Sequence, residues 1–447
     1  MGRRHVRGVG DVGYQKRAQA ERRAVQTQVA VAPGASTSTT AVSATPTAST
    51  TSRERLTLRM LLPLIGLTFS AFVFNTSEFM PIGLLTDIAA DLGASEGLTG
   101  MVITVYAWAV MLLSLPLMMA ASRFEYRKLL IAVVLVFAVG QALAFLSTGF
   151  AMLLLARIVV ACAHAVFWSI TTPMAVRVVS PRYQSLAIGM VSAGTSIAMI
   201  LGMPLGRAVG LALGWRMAFG CVGVIAVVIA VYLAVVFPKL EKAERFTLAK
   251  LPVLLSNRTL VGIYVLIALF ATAYYTGYSY IEPFLQQVAL MDEGTITAML
   301  TGFGAAGIVG SLLYARFYDG RRRLFILGAL AGVMVPLLVM LPAAKLGMGA
   351  VLAVCIVWGM CATAFNVAFQ GVMVGITTNE TAAVAMSIYS GIFNLGIGLG
   401  TAIGGGVSSA ASVSLIGLVG GAIALAALAF CATWLLPRLD AARGTRA

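Results

Sequence analysis

Apolar residues run almost without a break along most of this chain, and the interruptions are short and charged. Runs of about twenty apolar residues have the length of a helix that crosses a bilayer. Strands of a membrane barrel would instead alternate apolar and polar positions over about ten residues. The pattern predicts twelve helical spans, at 60–86, 97–121, 129–147, 150–175, 183–206, 216–237, 259–285, 294–315, 324–342, 347–373, 382–407 and 413–436. Residues 381–437 carry no charge at all; 57 residues exceed one crossing, and the small residues of Ser408–Ser414 permit a turn.

The polar interruptions set a topology. The expected 1–2 loop carries Asp87, Asp91 and Glu96, and the 7–8 loop Asp292 and Glu293, without a base. The 2–3, 4–5 and 8–9 loops carry Arg123, Arg127, Lys128, Arg177, Arg182, Arg316 and Arg321–Arg323. By the positive-inside rule the basic face is cytoplasmic, which places both termini there. The widest basic connection, 238–258, divides the chain into six spans (58–237) and six spans (259–437), with tails at 1–57 and 438–447. The halves echo each other: Glu78 precedes Pro81 in span 1, and Glu282 precedes Pro283 in span 7. The expectation is an all-α membrane protein, twelve transmembrane helices in two pseudo-symmetric six-helix bundles, multi-pass in the cell inner (cytoplasmic) membrane. Such repeats place a transport site at their interface near mid-membrane.

Composition narrows the classes. Sixty per cent of the 447 residues are hydrophobic and 11% charged, far below the roughly 25% charged of soluble domains. The net charge of +15 is accounted for by the basic loops and the basic start, so no nucleic-acid partner is implied; the tail has no apolar core that would make it a secretory signal. It reads as a disordered arm or one held on anionic lipid. All five cysteines fall in apolar runs, which argues against a disulfide framework. With two histidines and no Cys/His cluster, neither a metal nor another cofactor is expected. No phosphate-cradling loop, zinc-protease motif or nucleophile elbow appears, so the chain is not read as an enzyme.

The candidate chemistry therefore rests on polar groups inside spans, which are costly there and mark pathways and relays. Glu78 stands alone in an apolar run; desolvation favours the neutral form of a carboxylate, which suits it to carrying a proton. Arg157, His164 and Trp168 share one helical stripe with Ala161, and histidine titrates near physiological pH when unperturbed. Glu282 sits nearer the span end, where simple solvation explains it as well as proton coupling. Asn75 shares the face of Glu78; Tyr274 and Tyr278 share that of Glu282; Asn366 and Gln370 are four apart in span 10; Asn394 lies among the glycines of span 11. These are candidate substrate contacts, since aromatic faces and amides suit sugars. Interhelical hydrogen bonding and interfacial anchoring explain the same residues. Gly202, Pro204 and Gly206 in span 5, and the glycines of span 11, are read as packing faces that slide during alternating access.

At FNTSEFMPIGLLTDIA (74–89), YAWAVMLLSLPLMM (106–119), ARIVVACAHAVFWSIT (156–171), MILGMPLGRAVG (199–210), YSYIEPF (278–284) and SGIFNLGIGLG (390–400) the chain resembles the major facilitator superfamily. Within it the chain resembles the twelve-span drug/proton antiporter group, and most closely bacterial sugar efflux transporters related to arabinose exporters. The resemblance implies a monomer that exports small sugars by proton antiport. The 2–3 loop, SRFEYRK, keeps Arg123 and Arg127 of the superfamily's gating motif, but has Ser122 and Glu125 at its usual Asp and Gly positions. A multidrug or amphipathic-compound antiporter is the runner-up, and a non-transporting membrane solute sensor the alternative from another class.

Overall fold

The structure is a computed structural model that describes residues 57–121, 123–240, 251–318, 320–377 and 382–444, all within one compact unit, residues 55–447. Apart from Thr57, the expected tail 1–57 lies outside the described residues, as do 241–250 of the central connection and the last three residues. Among the described residues twelve helices are long and apolar enough to cross a membrane: Leu58–Leu92, Glu96–Ala121, Tyr126–Phe145, Phe150–Arg177, Pro181–Leu213, Trp215–Val236, Arg258–Gln287, Glu293–Tyr314, Arg322–Leu346, Met348–Met373, Val384–Ala410 and Val413–Ala441. Backbone polar groups find no partner in hydrocarbon, so each crossing closes its hydrogen bonds within itself.

Two ends differ most from expectation, while spans 9 and 12 run on to Leu346 and Ala441. Span 1 continues to Leu92, so Asp87 and Asp91 ride on its final helical turns rather than in a loop. It stops at Gly93, whose φ of 60° is the left-handed conformation that glycine adopts without a Cβ clash. Span 5 continues to Leu213, where Gly214 at φ 89° ends it. Arg207 therefore lies inside the span, not beyond it. Elsewhere side chains cap exposed amides: Asn257 Oδ1 accepts from Thr259 and Leu260 N at 3.1 and 3.2 Å. Asp292 Oδ1 accepts from Thr295 N at 3.0 Å to start span 8. The Thr295 hydroxyl and amide hold the Asp292 carboxyl below its usual value.

Four spans are interrupted, span 12 by a π segment at Cys431–Leu435. Span 1 is α-helical over Leu58–Phe79, tightens into a 3₁₀ segment at Met80–Leu84 containing Pro81, and resumes at Leu85. Span 7 is helical over Arg258–Tyr278 and restarts over Ile281–Gln287, with Pro283 in the new first turns. Glu78 and Tyr278 each precede a break, and Glu282 follows one; the two glutamates are not structural counterparts. Span 5 widens to a π-bulge at Ala198–Gly202 directly before Pro204. That extra residue accommodates a ring that cannot continue the i→i−4 ladder.

One buried core lies wholly within spans 1–6. The other fills spans 7–12 and takes in Ile82, Leu85, Ile103, Ala107 and Met203 of the first half. The halves meet where span 2 packs on span 11, span 5 on span 8, and the ends of spans 1 and 7 on each other. These contacts close the end that carries Asp87, Asp91, Glu96, Asp292 and Glu293, called here the acidic face; the end with the 2–3 and 8–9 turns is the basic face.

The glycines divide by role. A Cβ on Gly202 would fall 2.6 Å from Thr76 Oγ1, and one on Gly206 2.4 Å from Met80 Cγ. The stripe of span 5 therefore packs against span 1 of its own half and is not a face between halves. Glycines of span 11 do meet the other half: Gly398 abuts the Trp108 indole and Gly405 the Gly97 carbonyl, both on span 2.

Candidate functional site

Three spans of the first half bring one cluster together. Span 4 directs Arg157, His164 and Trp168 inwards, span 1 contributes Glu78 and Asn75 just before its break, and span 2 contributes Tyr106. Glu78 Oε2 lies 3.6 Å from His164 Nε2. The other imidazole nitrogen, Nδ1, is 2.7 Å from the Tyr106 hydroxyl. The Arg157 guanidinium sits 4.1 Å from the Tyr106 ring centroid and donates from Nη1 to the Ser77 carbonyl at 3.0 Å. Its Nε and Nη2 have no hydrogen-bond partner among the described residues. Arg157 is fully buried, His164 nearly so, and the Glu78 side chain retains 13% exposure. The chain of contacts thus runs from a partly wetted carboxylate through an imidazole to a phenol, beside a fixed positive charge.

The remaining candidates are scattered around this cluster. Asn75 is buried and tied down, donating to the Ala71 carbonyl at 2.9 Å and to Thr195 Oγ1 of span 5 at 3.4 Å. Trp168 is half-buried, its ring 6.0 Å from His164. Tyr274 and Tyr278 are not at a membrane interface: their rings lie 4.9 Å apart within a buried aromatic group that includes Trp358 and Phe303. In span 10 the Asn366 Oδ1 accepts from Gln370 Nε2 and from the Tyr389 hydroxyl of span 11, each at 3.0 Å. Asn394 donates to the Ser390 carbonyl, while its buried Oδ1 has no hydrogen-bond partner among the described residues. Exposed polar side chains include Ser192 and Ser196 of span 5, Gln370 of span 10, and Ser387 and Ser390 of span 11.

Glu282 belongs to a different cluster. It is fully buried, not solvated, and pairs with Arg207 Nη1 at 3.0 Å, both side chains at 1% exposure or less. Thr86 of span 1 donates to Glu282 Oε2 from its hydroxyl at 2.9 Å and its amide at 3.3 Å. The same hydroxyl reaches Glu96 Oε1 at 3.3 Å, an oxygen that also accepts from Gln287 Nε2. Arg207 Nη1 further donates to the Gly83 carbonyl at the break of span 1. Spans 1, 2 and 5 of one half are thereby tied to span 7 of the other at the acidic face. Arg207 escaped the sequence reading because the apolar run of span 5 fades at Gly206; its place four residues after Met203, on a continuing helical face, was the available signal. At the basic face, Arg123 is exposed, and Arg127 donates to the Ala234 carbonyl of span 6 in its own half.

With this geometry in place, comparison with known proteins decides the family. The family model described as Major Facilitator Superfamily matches residues 67–292 and 263–447. The chain belongs to the Major Facilitator Superfamily. Two solved structures of a bacterial homologue of the human lysosomal transporter Spinster share the fold. The one in an inward-facing, unoccupied conformation has a TM-score of 0.67 at 16% identity, over 87% of this chain and 94% of that one. The inward-facing, occupied one has a TM-score of 0.63 at 18% identity, over 85% and 92%. The human organic anion transporter MFSD10 (TETRAN) has a TM-score of 0.60 at 14% identity, over 83% and 98%. As a member of the superfamily, the chain is a multi-pass membrane transporter.

Proposed function

We propose that this transporter exports small sugars from the cytoplasm by proton antiport. The observation that carries the proposal is the partly exposed Glu78 carboxylate 3.6 Å from His164, itself bonded to Tyr106. A carboxylate and an imidazole in contact form a site where one proton changes the local charge. The buried Arg157 beside them makes that charge count, because interactions between buried groups are weakly screened. Protonation of Glu78 removes the anion facing His164 and Arg157, which favours the arrangement of spans 1, 2 and 4 that carries the proton. Substrate and proton then compete for the same state, which is the requirement for antiport.

The positive-inside rule assigns the basic face to the cytoplasm. The closed acidic face then corresponds to a state open inwards, the sense named for both Spinster-homologue structures. Trp168 offers a ring to a sugar C–H face, while Asn366 and Gln370 offer amides to its hydroxyls. The sugar class is further supported by the motif resemblance around residues 74–89 and 156–171. A second reading, export of an organic anion, draws on the unpartnered Arg157 Nε and Nη2; the full burial of Arg157 weighs against direct contact.

The test is uptake into inverted vesicles of labelled pentoses, hexoses, organic anions and amphipathic drugs, with and without an inside-acid gradient. Sugar uptake that collapses with the gradient supports the proposal. Gradient-driven uptake of anions or drugs without sugars replaces it, and gradient-independent uptake of sugars removes the proton.

A further inference from the structure

Above the Arg207–Glu282 pair, at the acidic face, lies a cavity of about 490 Å³ that the transport proposal does not use. That volume is within the roughly 300–1,000 Å³ range of small-molecule sites. Its walls come from both halves: Ser95 and Glu96 on one side, Gln287, Ser408, Ser409 and Ser412 on the other. The lining carries a single charge, the Glu96 carboxylate, together with four serine hydroxyls. Such a wall both donates and accepts through its hydroxyls and the Gln287 amide, and a ligand that brings several hydroxyls, each a donor and an acceptor, matches it. An anion would face Glu96 with no lining base to offset it.

The floor of the cavity is continuous with the closure beneath it. Thr86, a lining residue, bonds both Glu96 and the buried Glu282. The rim is fixed by backbone contact between halves: a Cβ on Gly97 would fall 2.1 Å from Ser409 Oγ and 2.5 Å from the Gly405 carbonyl. The cavity therefore exists only while the acidic face is shut. Rocking the halves apart there separates Glu96 from Gln287 and the serines, and the site ceases to exist.

We propose that this cavity is a second site, for a small polyhydroxylated solute, and that its occupation holds the transporter shut at the acidic face. A ligand that binds only one of two states favours that state by mass action; at 100 times its dissociation constant the shut-to-open ratio rises about 100-fold. An amine on the solute adds a charge-assisted bond to Glu96, so amino sugars bind more tightly than the parent sugars. The site does not depend on what the central cluster carries.

The experiment measures equilibrium binding of labelled mono- and disaccharides and amino sugars to the whole protein in nanodiscs. Two variants fill the cavity from opposite halves, Ala90→Trp and Ser408→Trp, and a third, Trp168→Ala, removes the ring offered to a sugar at the central cluster. The expected result is a saturable component that falls at least tenfold in both filled variants and persists in Trp168→Ala. A spin-label distance across the acidic face, between Leu213→Cys and Leu346→Cys, is expected to narrow to its short component as the sugar saturates. Transported and non-transported sugars are compared: binding confined to transported ones marks an exit-path site, and binding of both an external one. Absence of saturable binding across the panel, or binding untouched by the folded filled variants, overturns the proposal; because it is read without transport, it fails separately from the antiport.

Discussion

Replacing Glu282 with Gln keeps the shape of the side chain but removes the charge that partners Arg207. In the shut state both groups are sealed from water and 3.0 Å apart, and removing one member of such a pair costs about 3–5 kcal/mol, chiefly from stranding the other charge. Opening the acidic face readmits water to Arg207, so only the shut state carries the full cost. If about half of it, ~2 kcal/mol, is specific to the shut state, the shut-to-open ratio falls about 30-fold. Spin labels at Leu213→Cys and Leu346→Cys report this directly, since both positions are exposed at acidic-face span ends (61% and 82%). With the five native cysteines replaced, pulsed dipolar spectroscopy should show Glu282→Gln moving population from a short to a long distance. The apolar double replacement Arg207→Met with Glu282→Met should return it towards the short distance, because replacing both members of a buried pair is often neutral. An unchanged distribution in folded Glu282→Gln would refute the reasoning.

Further tests address other parts of the molecule. Gly206→Val forces a side chain into Met80, with the nearest contact at 2.4 Å, and should destabilise the first half by about 1–3 kcal/mol, read as a lower melting temperature in detergent. Tyr106→Phe removes the phenol from His164 Nδ1 while keeping the ring under Arg157; the pH midpoint of transport should move while expression and melting stay near wild type. Asp292→Ala removes the cap of span 8, and amide exchange over residues 293–298 should accelerate. Because Asp292 is held below its usual value, its stabilisation is complete at neutral pH. It is lost only as acidification passes the lowered pKa, so wild type should approach the variant's exchange pattern at low pH.

The spans were legible because crossing a bilayer demands length and apolarity, and both are written locally in the chain. Their ends were less so. Asp87 and Asp91 read as loop residues by charge alone, yet the helix carries them through its solvated last turns to Gly93. Arg207 read as lying past the end of span 5 for the same reason. Arg157, His164 and Trp168 could be grouped from helical spacing, because their stripe lies on one element; Glu78, on span 1, joins them only through packing. That Arg157 rests on Tyr106 and the Ser77 carbonyl, not on a carboxylate, depends on how three helices pack, which no local pattern records. Of the two readings left open for Glu282, solvation fails, since the side chain is buried against both halves. The echo with Glu78 was likewise a resemblance of letters: one residue precedes a helix break and the other follows one.

The central claim is that Glu78 couples proton movement to substrate movement. Reconstituted Glu78→Gln protein should be compared with wild type in two modes: sugar counterflow without a gradient, and sugar accumulation driven by a pH gradient. The account predicts that counterflow survives and gradient-driven accumulation disappears. Accumulation at the wild-type level in Glu78→Gln, with the same pH dependence, would contradict it.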